Sequence, residues 1–476
     1  MFPAAGNRND SSLNNAGSNG NYWSSSPYDS NNAYNLNFNS SEYKVDWNNR
    51  NNGYSVRAVS ELTNKRIMNR RVRHFSISKE QLLIDLLRAY KDARKNKRGR
   101  AYQLKFEFNL EDNLILLRDE LINCSYKPQS SNCFVIHEPK MREVFAANFR
   151  DRIVHHLFYN YTHALFERTF IYDSYSCIKK RGTHFGIKRL QHHILSESKG
   201  YSKECYVLKI DIKGYFMNIN RNILLELCRN SLAKMQMHKS YVEGKTWGEL
   251  LDYEFIDYLL EVIISTNPVC DCNILGNMSD WDNLPKSKSL FFSKESCGLP
   301  IGNLSSQLFS NIYMNIFDQY VKRDLKCKHY GRYVDDAYIV SADKEELKKL
   351  VPQISEFLNK KLGLNLNVNK VKILNVKFGI EYLGSYIKPF RIYISSSVLN
   401  RIKSKLRYIK THDKKYILAS VNSYLGVLSH YNSFYIRRVL FGYILELVNY
   451  GSFDEYWLRF REYIEPRPQE KSIKSK

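Results

Sequence analysis

The sequence predicts an α+β fold in which an antiparallel sheet carries carboxylates at one end. Residues 330–340 place β-forming side chains on both sides of Asp335-Asp336, which is typical of a hairpin with two carboxylates at its tip. A second β-rich run, residues 205–212, ends in Asp211 just before a turn at Lys213-Gly214. Beyond Ser395 the chain is rich in Lys and Arg with interleaved aromatic residues, and we interpret this region as helical.

Asp211, Asp335 and Asp336 are the candidate catalytic residues. A carboxylate at a strand end is exposed on one side and rigidly held on the other, which suits binding a divalent cation against a phosphate. Only the fold can bring Asp211 to Asp335, since more than a hundred residues separate them. Together they could bind two Mg²⁺ ions about 3.5–4 Å apart for an in-line phosphoryl transfer. The alternative is an ordinary solvated turn and an unrelated strand-terminal Asp.

The order of motifs along the chain resembles the palm of reverse transcriptases, motifs A to E in sequence. The matching positions are Asp211 with Phe216, residues 298–307, Tyr333-Val334-Asp335-Asp336, Lys370, and the Tyr382-Leu383-Gly384 turn. The resemblance covers about residues 82–448. It implies a right-hand polymerase of fingers, palm and thumb, with a catalytic antiparallel palm sheet and a helical thumb, that extends a primer on RNA with dNTPs.

The resemblance also implies roles for individual residues. Two Mg²⁺ ions, for which Mn²⁺ could substitute, would be bound by Asp211, Ile212 and Asp335, while Asp336 assists or positions the primer end. Lys370 would aid the leaving pyrophosphate. Phe216 matches the position that excludes the ribose 2′-hydroxyl by bulk, so deoxynucleotides should be preferred; its alternative is a plain core aromatic.

The middle motif points to one branch of the family. Most reverse transcriptases have Pro-Gln-Gly and Ser-Pro where this chain has Pro300-Ile301-Gly302 and Ser306-Gln307. With residues 279–291 just upstream, this variant resembles the reverse transcriptases of diversity-generating retroelements. That resemblance implies cDNA copied from a template-repeat RNA with errors at adenines, which then replaces a variable region of a target gene. It also implies a small basic accessory variability protein as a partner.

Ile301 changes the chemistry beside the nucleotide, where Gly302 and Gln307 are further candidate contacts. In the family at large a Gln at this position can hydrogen-bond next to the incoming nucleotide, whereas Ile is β-branched and apolar. Losing a polar contact would weaken discrimination between correct and wrong pairs by about 1–3 kcal/mol. The alternative is that Ile301 simply packs beneath the sheet.

Basic residues cluster where fingers and thumb are expected. Lys140, Arg142 and Arg150 lie in and after an apparent strand pair at residues 133–145, and we expect one or two of them to bind the triphosphate. Nucleic-acid contacts are predicted in the next finger motif and in the thumb, which would grip the template–product duplex. The residues predicted for these contacts are Arg181, Arg401, Lys405 and Arg407. For each cation the alternative is a solvated surface charge.

Residues 1–58 differ from the rest in composition. They are crowded with Asn, and we expect them to be disordered and without strands. Residues 2–6, 22–26 and 53–57 nevertheless resemble the C-terminal part of formylglycine-generating-enzyme-like (C-type-lectin-like) domains. Since Asn codons begin with two adenines, we interpret the segment as a template repeat translated in frame. The rival is a small folded lectin-like module, which so short a segment hardly supports.

The predicted layout places N-terminal helices and fingers in residues 59–204 and the palm in residues 205–394. The palm carries a fingers-side insertion at residues 230–297, and residues 395–476 form the thumb and a basic tail. The chain has 72 Lys plus Arg and 48 Asp plus Glu, a net charge of +24. Residues 1–56 hold three basic and four acidic side chains, so the remainder has a net charge of +25, which favours a nucleic-acid partner.

Several classes of protein are disfavoured. No run of 18 apolar residues exists, so no membrane partner is expected, and no secretion signal opens the chain. Nine scattered Cys without a second close pair indicate a reduced, cytoplasmic protein. Two alternatives stay open: a reverse transcriptase of the retron or group II intron type, and a non-catalytic RNA-binding scaffold.

Overall fold

The structure is a computed structural model that divides into two units, Met1–His74 and Phe75–Lys476. It describes five strands within residues 7–49 and then residues 73–463, apart from residues 74, 96, 98, 139, 241, 243, 410–411, 443, 445–446 and 448–449. Residues 2–6 and 53–57 and the basic tail after residue 463 lie outside the described part. Among the described helices, none combines the length and the hydropathy that a bilayer span requires.

The N-terminal unit contains two small antiparallel sheets, whereas composition predicted no strand there. The strands are β1 (Asn7–Asn9), β2 (Ser12–Asn14), β3 (Gly20–Pro27), β4 (Asn32–Phe38) and β5 (Tyr43–Asn49). β1 pairs with β2, and β3, β4 and β5 pair in chain order. In β4 the apolar residues Tyr34 and Leu36 alternate with Asn, and the register pairs them with Trp47 and Val45. That two-residue period was missed because Asn is generally depleted from strands.

The second unit begins with three helices that pack with a fourth around one apolar core. Ser78 caps the first helix by accepting a hydrogen bond from the backbone N–H of Gln81 at 3.1 Å. The helices are α1 (Lys79–Arg94), α2 (Ala101–Glu107), α3 (Leu110–Ile122) and α4 (Phe149–Glu167). Between α3 and α4, β6 (Ser131–Ile136) and β7 (Arg142–Ala146) form the antiparallel strand pair that the sequence predicted for the fingers.

The chain then alternates between the palm and the fingers side. The elements in order are α5 (Thr183–Glu197), β8 (Tyr206–Ile210), α6 (Tyr215–Asn218), α7 (Arg221–Gln236), α8 (Trp247–Leu250), α9 (Tyr253–Ser265), β9 (Cys272–Ile274) and α10 (Leu304–Gln319). β9 pairs in parallel with β6, so the insertion at residues 230–297 contributes a strand to the fingers sheet. Between β9 and α10, short 3₁₀ turns lie at Met278–Trp281, Lys286–Lys288 and Leu290–Phe292.

A four-stranded antiparallel sheet forms the centre of the palm. It adds β10 (His329–Tyr333), β11 (Asp336–Ser341) and β12 (Lys372–Asn375), with α11 (Lys344–Leu362) between β11 and β12, and its order is β10-β11-β8-β12. Leu208 and Ile339 face the main core, which includes the buried side of α10. Val207 and Tyr338 face a second cluster on the opposite side of the sheet. Both faces are therefore packed, and the functional end of the sheet is held rigidly.

The thumb has its own apolar core. Three antiparallel strands, β13 (Ile380–Tyr382), β14 (Ser385–Lys388) and β15 (Arg391–Ile394), lead into α12 (Ser396–Arg407), α13 (Lys414–Leu428), α14 (Phe434–Gly442) and the hairpin β16 (Gly451–Phe453) and β17 (Phe460–Glu462). Ile402, Val421 and Leu425 are buried in this core. The predicted α+β class, the antiparallel palm sheet and the helical thumb are confirmed.

Replacing Gly331 by Ala should destabilise the palm. A Cβ at Gly331 would lie 2.7 Å from the hydroxyl of Tyr338 and closer still to that of Tyr175. These two hydroxyls are buried and hydrogen-bonded to each other at 2.7 Å, so neither can move freely. We expect Gly331→Ala to lower the free energy of unfolding by about 1–3 kcal/mol in urea titrations.

Gly426→Ala is the matched control, because a Cβ there meets nothing within 4 Å in the last turn of α13. It should raise the free energy of unfolding slightly, by less than the roughly 1 kcal/mol typical of a helix interior. Equal effects of the two substitutions would contradict the close packing around Gly331.

Candidate active site

Three carboxylates meet at one end of the palm sheet. The register pairs Ala337 with Ile210, so Asp336, the first residue of β11, lies opposite Asp211, which directly follows β8. Asp335 occupies the tight turn between β10 and β11, next to Val334, since Tyr333 pairs with Asp336. The fold thus brings together the residues that the sequence singled out from two distant segments.

Burial and like charge make this end of the sheet a place that favours a cation. Burial raises the pKa of Asp335 to about 6, and the neighbouring charges of Asp336 and Asp211 add to that rise. The pKa of Asp336 is also raised, mainly by burial, although the charge of Lys209 opposes the shift. Carboxylates that repel one another in a partly buried site are stabilised by a bound cation.

Asp211 is held by two side chains from the segment before β12. Lys370 Nζ lies 3.0 Å from each carboxylate oxygen of Asp211, and Asn367 Nδ2 donates to Oδ2 at 2.9 Å. The backbone N–H of Asn367 also donates to the Asp211 carbonyl at 2.8 Å. Lys370, predicted to act on the leaving pyrophosphate, therefore lies at the centre of the site. Asn367 was missed, and no sequence pattern distinguishes it from any other loop Asn.

The backbone carbonyl of Ile212 points toward the hairpin side of the site. Ile212 forms an antiparallel bridge with Leu366 in which the flanking residues, Asp211 and Lys213, make the hydrogen bonds. In such a pair the bridging residue directs its own N–H and C=O away from its partner, here toward the β11 side of the strand. A carbonyl oxygen at this position can serve as a further ligand for a hard cation.

The donors fit Mg²⁺ as it usually binds in proteins. All of them are oxygens, from Asp211, Asp335 and the Ile212 carbonyl. Among the described residues, no group of three or more His, Cys, Asp or Glu side chains is arranged to hold a metal ion by itself. Mg²⁺ is commonly bound by one or two carboxylates, with water and substrate phosphates completing the shell, so the donor set matches this ion.

Phe216 and Ile301 pack against the same apolar cluster. Both are half-buried, and both contact one small cluster formed by Cys133, Phe145, Met217 and Leu290. The Leu299 N–H donates to the Phe216 carbonyl at 2.8 Å, which ties the loop before α10 to the residues after Asp211. The two predicted nucleotide-binding positions thus share one apolar cluster, and each has the packing role that its alternative described.

The loop at Ile301 lies along the edge of the fingers sheet. The Phe145 N–H donates to the Ile301 carbonyl at 2.9 Å, and the Ala147 N–H donates to Asn303 Oδ1 at 3.1 Å. Gly302 has φ +128°, and a Cβ there would lie 2.9 Å from Val144 Cγ1. Only Gly fits this close approach, so the predicted contact at Gly302 is a backbone one.

Glu143 is a buried residue of this region that sequence reasoning missed. Its carboxylate accepts hydrogen bonds from Trp281 Nε1 at 2.8 Å, Ser289 Oγ at 2.7 Å and the Leu290 N–H at 2.6 Å. It therefore binds the segment 281–290 to β7, which also carries the Ile301 loop. The available signal was a charged residue on the apolar face of an alternating strand, in register with Phe145.

Three of the residues predicted to contact the nucleotide have exposed side chains: Lys140, Arg142 and Gln307. Lys140 and Arg142 are exposed on the β6–β7 hairpin. The positive charge of Lys140 opposes the rise in the pKa of Asp336, so Lys140 lies near the carboxylates. Gln307 is exposed in the first turns of α10. These three side chains are free to meet a substrate.

Arg150 and Arg181 have partners within the protein, and their predicted substrate contacts stay predictions. Arg150 forms ion pairs with Glu120 and Asp151, and its side chain is 11 % exposed. Arg181 donates to the carbonyls of Ile171 and Ser174, each at 3.1 Å. Carboxylates and loop carbonyls accept hydrogen bonds from arginine as phosphates do, and the sequence cannot distinguish these partners.

The predicted thumb cations lie on the exposed side of α12. Arg401, Lys405 and Arg407 are all exposed there, while Ile402 and Leu406 face the thumb core. Lys405 Nζ lies 2.8 Å from Glu138 Oε2, at the tip of the β6–β7 hairpin. The thumb helix α12 therefore contacts the β6–β7 hairpin of the fingers.

Comparison with known proteins agrees with this geometry. The family model for reverse transcriptase (RNA-dependent DNA polymerase) matches residues 136–387, more than half of the chain. A second family model, for a domain of unknown function, matches residues 1–59. Protein YkfC of Escherichia coli K12 is 25% identical over 307 residues, 57% of this chain and 70% of that protein. The COX1/OXI3 intron 2 protein of Saccharomyces cerevisiae is 23% identical over 270 residues, 49% of this chain and 30% of that protein.

Solved telomerase structures are more distant. Apo telomerase of Candida tropicalis has a TM-score of 0.40 at 15% identity, with 63% of this chain and 52% of that chain covered. Telomerase of Candida albicans with a TWJ fragment of telomeric RNA has a TM-score of 0.38 at 13% identity, with 67% and 55% covered. The chain spans about half the length of these structures. On the family match and the right-hand polymerase fold, the chain belongs to the reverse transcriptase family of RNA-dependent DNA polymerases.

Proposed function

We propose that this chain is the RNA-directed DNA polymerase of a diversity-generating retroelement. It copies a template-repeat RNA into cDNA with errors at adenines, and the cDNA then replaces a variable region of a target gene. The convergence of Asp211, Asp335 and Asp336 at one end of the palm sheet carries the polymerase part of the proposal. The packing of Ile301 and Phe216 against one apolar cluster supports the error-prone part.

The reaction joins the primer 3′-oxygen to the α-phosphorus of a dNTP and releases pyrophosphate. Asp211, Asp335 and the Ile212 carbonyl would hold two Mg²⁺, with Mn²⁺ as a substitute; such a pair, when bound, stabilises the entering and leaving oxygens. Asp336 positions the primer end. Lys370, with its ammonium 3.0 Å from both Asp211 oxygens, lies close enough to neutralise charge on the leaving pyrophosphate.

The surrounding charges suit the proposed substrates. Lys140 and Arg142 on the fingers hairpin are placed to bind the triphosphate, and the exposed α12 cations Arg401, Lys405 and Arg407 to bind the backbone of the RNA–cDNA duplex. Gln307 and Gly302 border the nucleotide position. A small basic accessory variability protein remains part of the proposal through the family resemblance alone.

The error-prone step follows from the chemistry of the Ile301 loop. The hydrogen bonds from Phe145 and Ala147 fix this loop firmly, so its side chain is presented in a defined place. An apolar, β-branched side chain there supplies shape without a donor or acceptor. An enzyme with Ile at this position therefore rejects a wrong base pair of acceptable shape less strongly than an enzyme with a polar side chain there.

Residues 1–58 are proposed to be a template repeat translated in frame with the polymerase. The separate family match at residues 1–59 supports a boundary at that place. A folded β-module is the second candidate for this segment, favoured by the register of β3, β4 and β5.

A reverse transcriptase of the group II intron or retron type is the second candidate for the whole chain. The intron 2 protein among its relatives favours this reading, while Pro300-Ile301-Gly302 with Gln307 favours the retroelement. A non-catalytic RNA-binding scaffold is the third candidate. In that case the protein would function without the carboxylates of Asp211, Asp335 and Asp336.

Asp335→Asn should abolish DNA synthesis. The substitution keeps the shape of the side chain but removes the anionic ligand, so primer extension on RNA with dNTPs and Mg²⁺ should fall by at least about 10³-fold. Asp324→Asn, at an exposed position outside the palm sheet, is the control and should extend primers normally. Full activity of Asp335→Asn would favour the scaffold instead.

Ile301→Gln should make the enzyme more accurate. The added amide can hydrogen-bond beside the nucleotide, so errors opposite template adenines should drop by about 10-fold, which corresponds to about 1.4 kcal/mol. Sequencing of cDNA from both enzymes measures this, with Ile301→Leu as the apolar control. Accurate copying by the wild type would retain a reverse transcriptase but assign it to another lineage.

Removal of residues 1–58 should leave the polymerase active when a template-repeat RNA is supplied separately. The second unit has its own core, and the proposal gives the segment a role as RNA. Primer extension by residues 59–476 should stay within about threefold of the full chain, a difference below 1 kcal/mol. Loss of activity, or resistance of residues 1–58 to protease in the full chain, would favour the folded module.

A further inference from the structure

A fully buried ion pair lies directly beneath the turn that carries Asp335. Arg332 on β10 and Asp318 on α10 are both 0 % exposed. Arg332 donates through Nε to Asp318 Oδ1 and through a terminal nitrogen to Oδ2, each at 2.7 Å, and the Tyr330 hydroxyl donates to Oδ1 at 2.6 Å. A buried pair gains little net stability over apolar residues of similar volume, so stability alone gives no reason for it.

The other terminal nitrogen of Arg332 reaches the catalytic turn. It donates to the Val334 carbonyl at 2.9 Å, one residue before Asp335. Val334 has φ +56°, in the left-handed region, where a β-branched residue is strained. Such a conformation persists only where the surroundings over-determine it. The guanidinium supplies a hydrogen bond that the relaxed turn would lose.

Arg332 is itself held from three directions, so it can act as a fixed point. On the α10 side it contacts Asp318 and, at 3.4 Å, Asn311 Oδ1. On the fingers side it donates to Ser174 Oγ at 3.3 Å. Its backbone N–H donates to the Asp173 carbonyl at 2.9 Å, and its carbonyl accepts from the Tyr175 N–H at 3.0 Å.

We propose that Arg332 is a positioning residue that acts on Asp335 through the Val334 carbonyl. It keeps the turn in one strained conformation and thereby fixes the Asp335 carboxylate where the divalent cation needs it. The inference rests on the proposed role of Asp335 as a metal ligand. It adds a link from α10, which begins at the Ile301 loop, to the carboxylate end of the sheet.

The test compares the Mn²⁺ affinity of Arg332→Lys, Val334→Gly and the double variant with that of the wild type. Each protein is titrated with Mn²⁺ in the absence of substrates, and electron paramagnetic resonance measures the concentration of unbound Mn²⁺. Arg332→Lys should weaken Mn²⁺ binding by about 10- to 100-fold, since supporting residues of metal ligands have effects of this size. Val334→Gly should change it by less than about threefold and raise the melting temperature, because Gly adopts the left-handed conformation without strain.

The double variant tests whether Arg332 acts by holding the strained turn at Val334. If Arg332 acts by bracing the strained turn, Val334→Gly should restore Mn²⁺ affinity in Arg332→Lys to within about threefold of the Val334→Gly value, a strongly non-additive result. An affinity equal to or below that of Arg332→Lys alone would overturn the inference. The half-saturating Mg²⁺ concentration of primer extension should follow the same pattern.

Two further variants separate positioning from folding. Arg437→Lys alters another buried arginine, which donates to Ser433 Oγ at 2.7 Å in the thumb, and should lower the melting temperature without changing Mn²⁺ affinity. If Arg332→Lys does not fold, Tyr330→Phe loosens the pair by one hydrogen bond. It should weaken Mn²⁺ binding about threefold, and Val334→Gly should remove the effect. Absence of DNA synthesis by the wild type would refute the proposed function, while the Mn²⁺ series would still test Arg332.

Discussion

The antiparallel pairing of β8 with β11 is the constraint on which the site depends. Because side chains alternate along a strand, a slip of one residue in this register would move Asp336 to the other face of the sheet and away from Asp211. The slip is prevented by packing on both faces, with Leu208 and Ile339 in one core and Val207 and Tyr338 in the other. The geometry of three charged groups is thus fixed by apolar contacts that extend well beyond them.

β7 has a comparable role on the fingers side. Its edge holds the Ile301 loop through backbone hydrogen bonds, and one of its faces binds the segment 281–290 through Glu143. Phe145 joins the small cluster that Phe216 and Ile301 share. A single strand therefore fixes both the middle motif, through the Ile301 loop, and the insertion, through Glu143.

The sequence was most informative where chemistry restricts the residue type. Only carboxylates suit the ends of β8 and the β10–β11 turn, so Asp211, Asp335 and Asp336 could be predicted with the sheet around them. The partners of individual cations could not be predicted, because Arg150 and Arg181 contact internal carboxylates and carbonyls that no linear pattern reveals. Glu143 and Asn367 were missed since their partners come from remote segments. The strands β4 and β5 were missed because Asn obscured their alternation.

The contact between Lys405 and Glu138 joins the thumb helix α12 to the tip of the β6–β7 hairpin. Both side chains are largely exposed, so this ion pair is weak and weakens further as salt rises. The thumb and the β6–β7 hairpin each have apolar packing of their own, so this ion pair can break and re-form without disturbing either cluster.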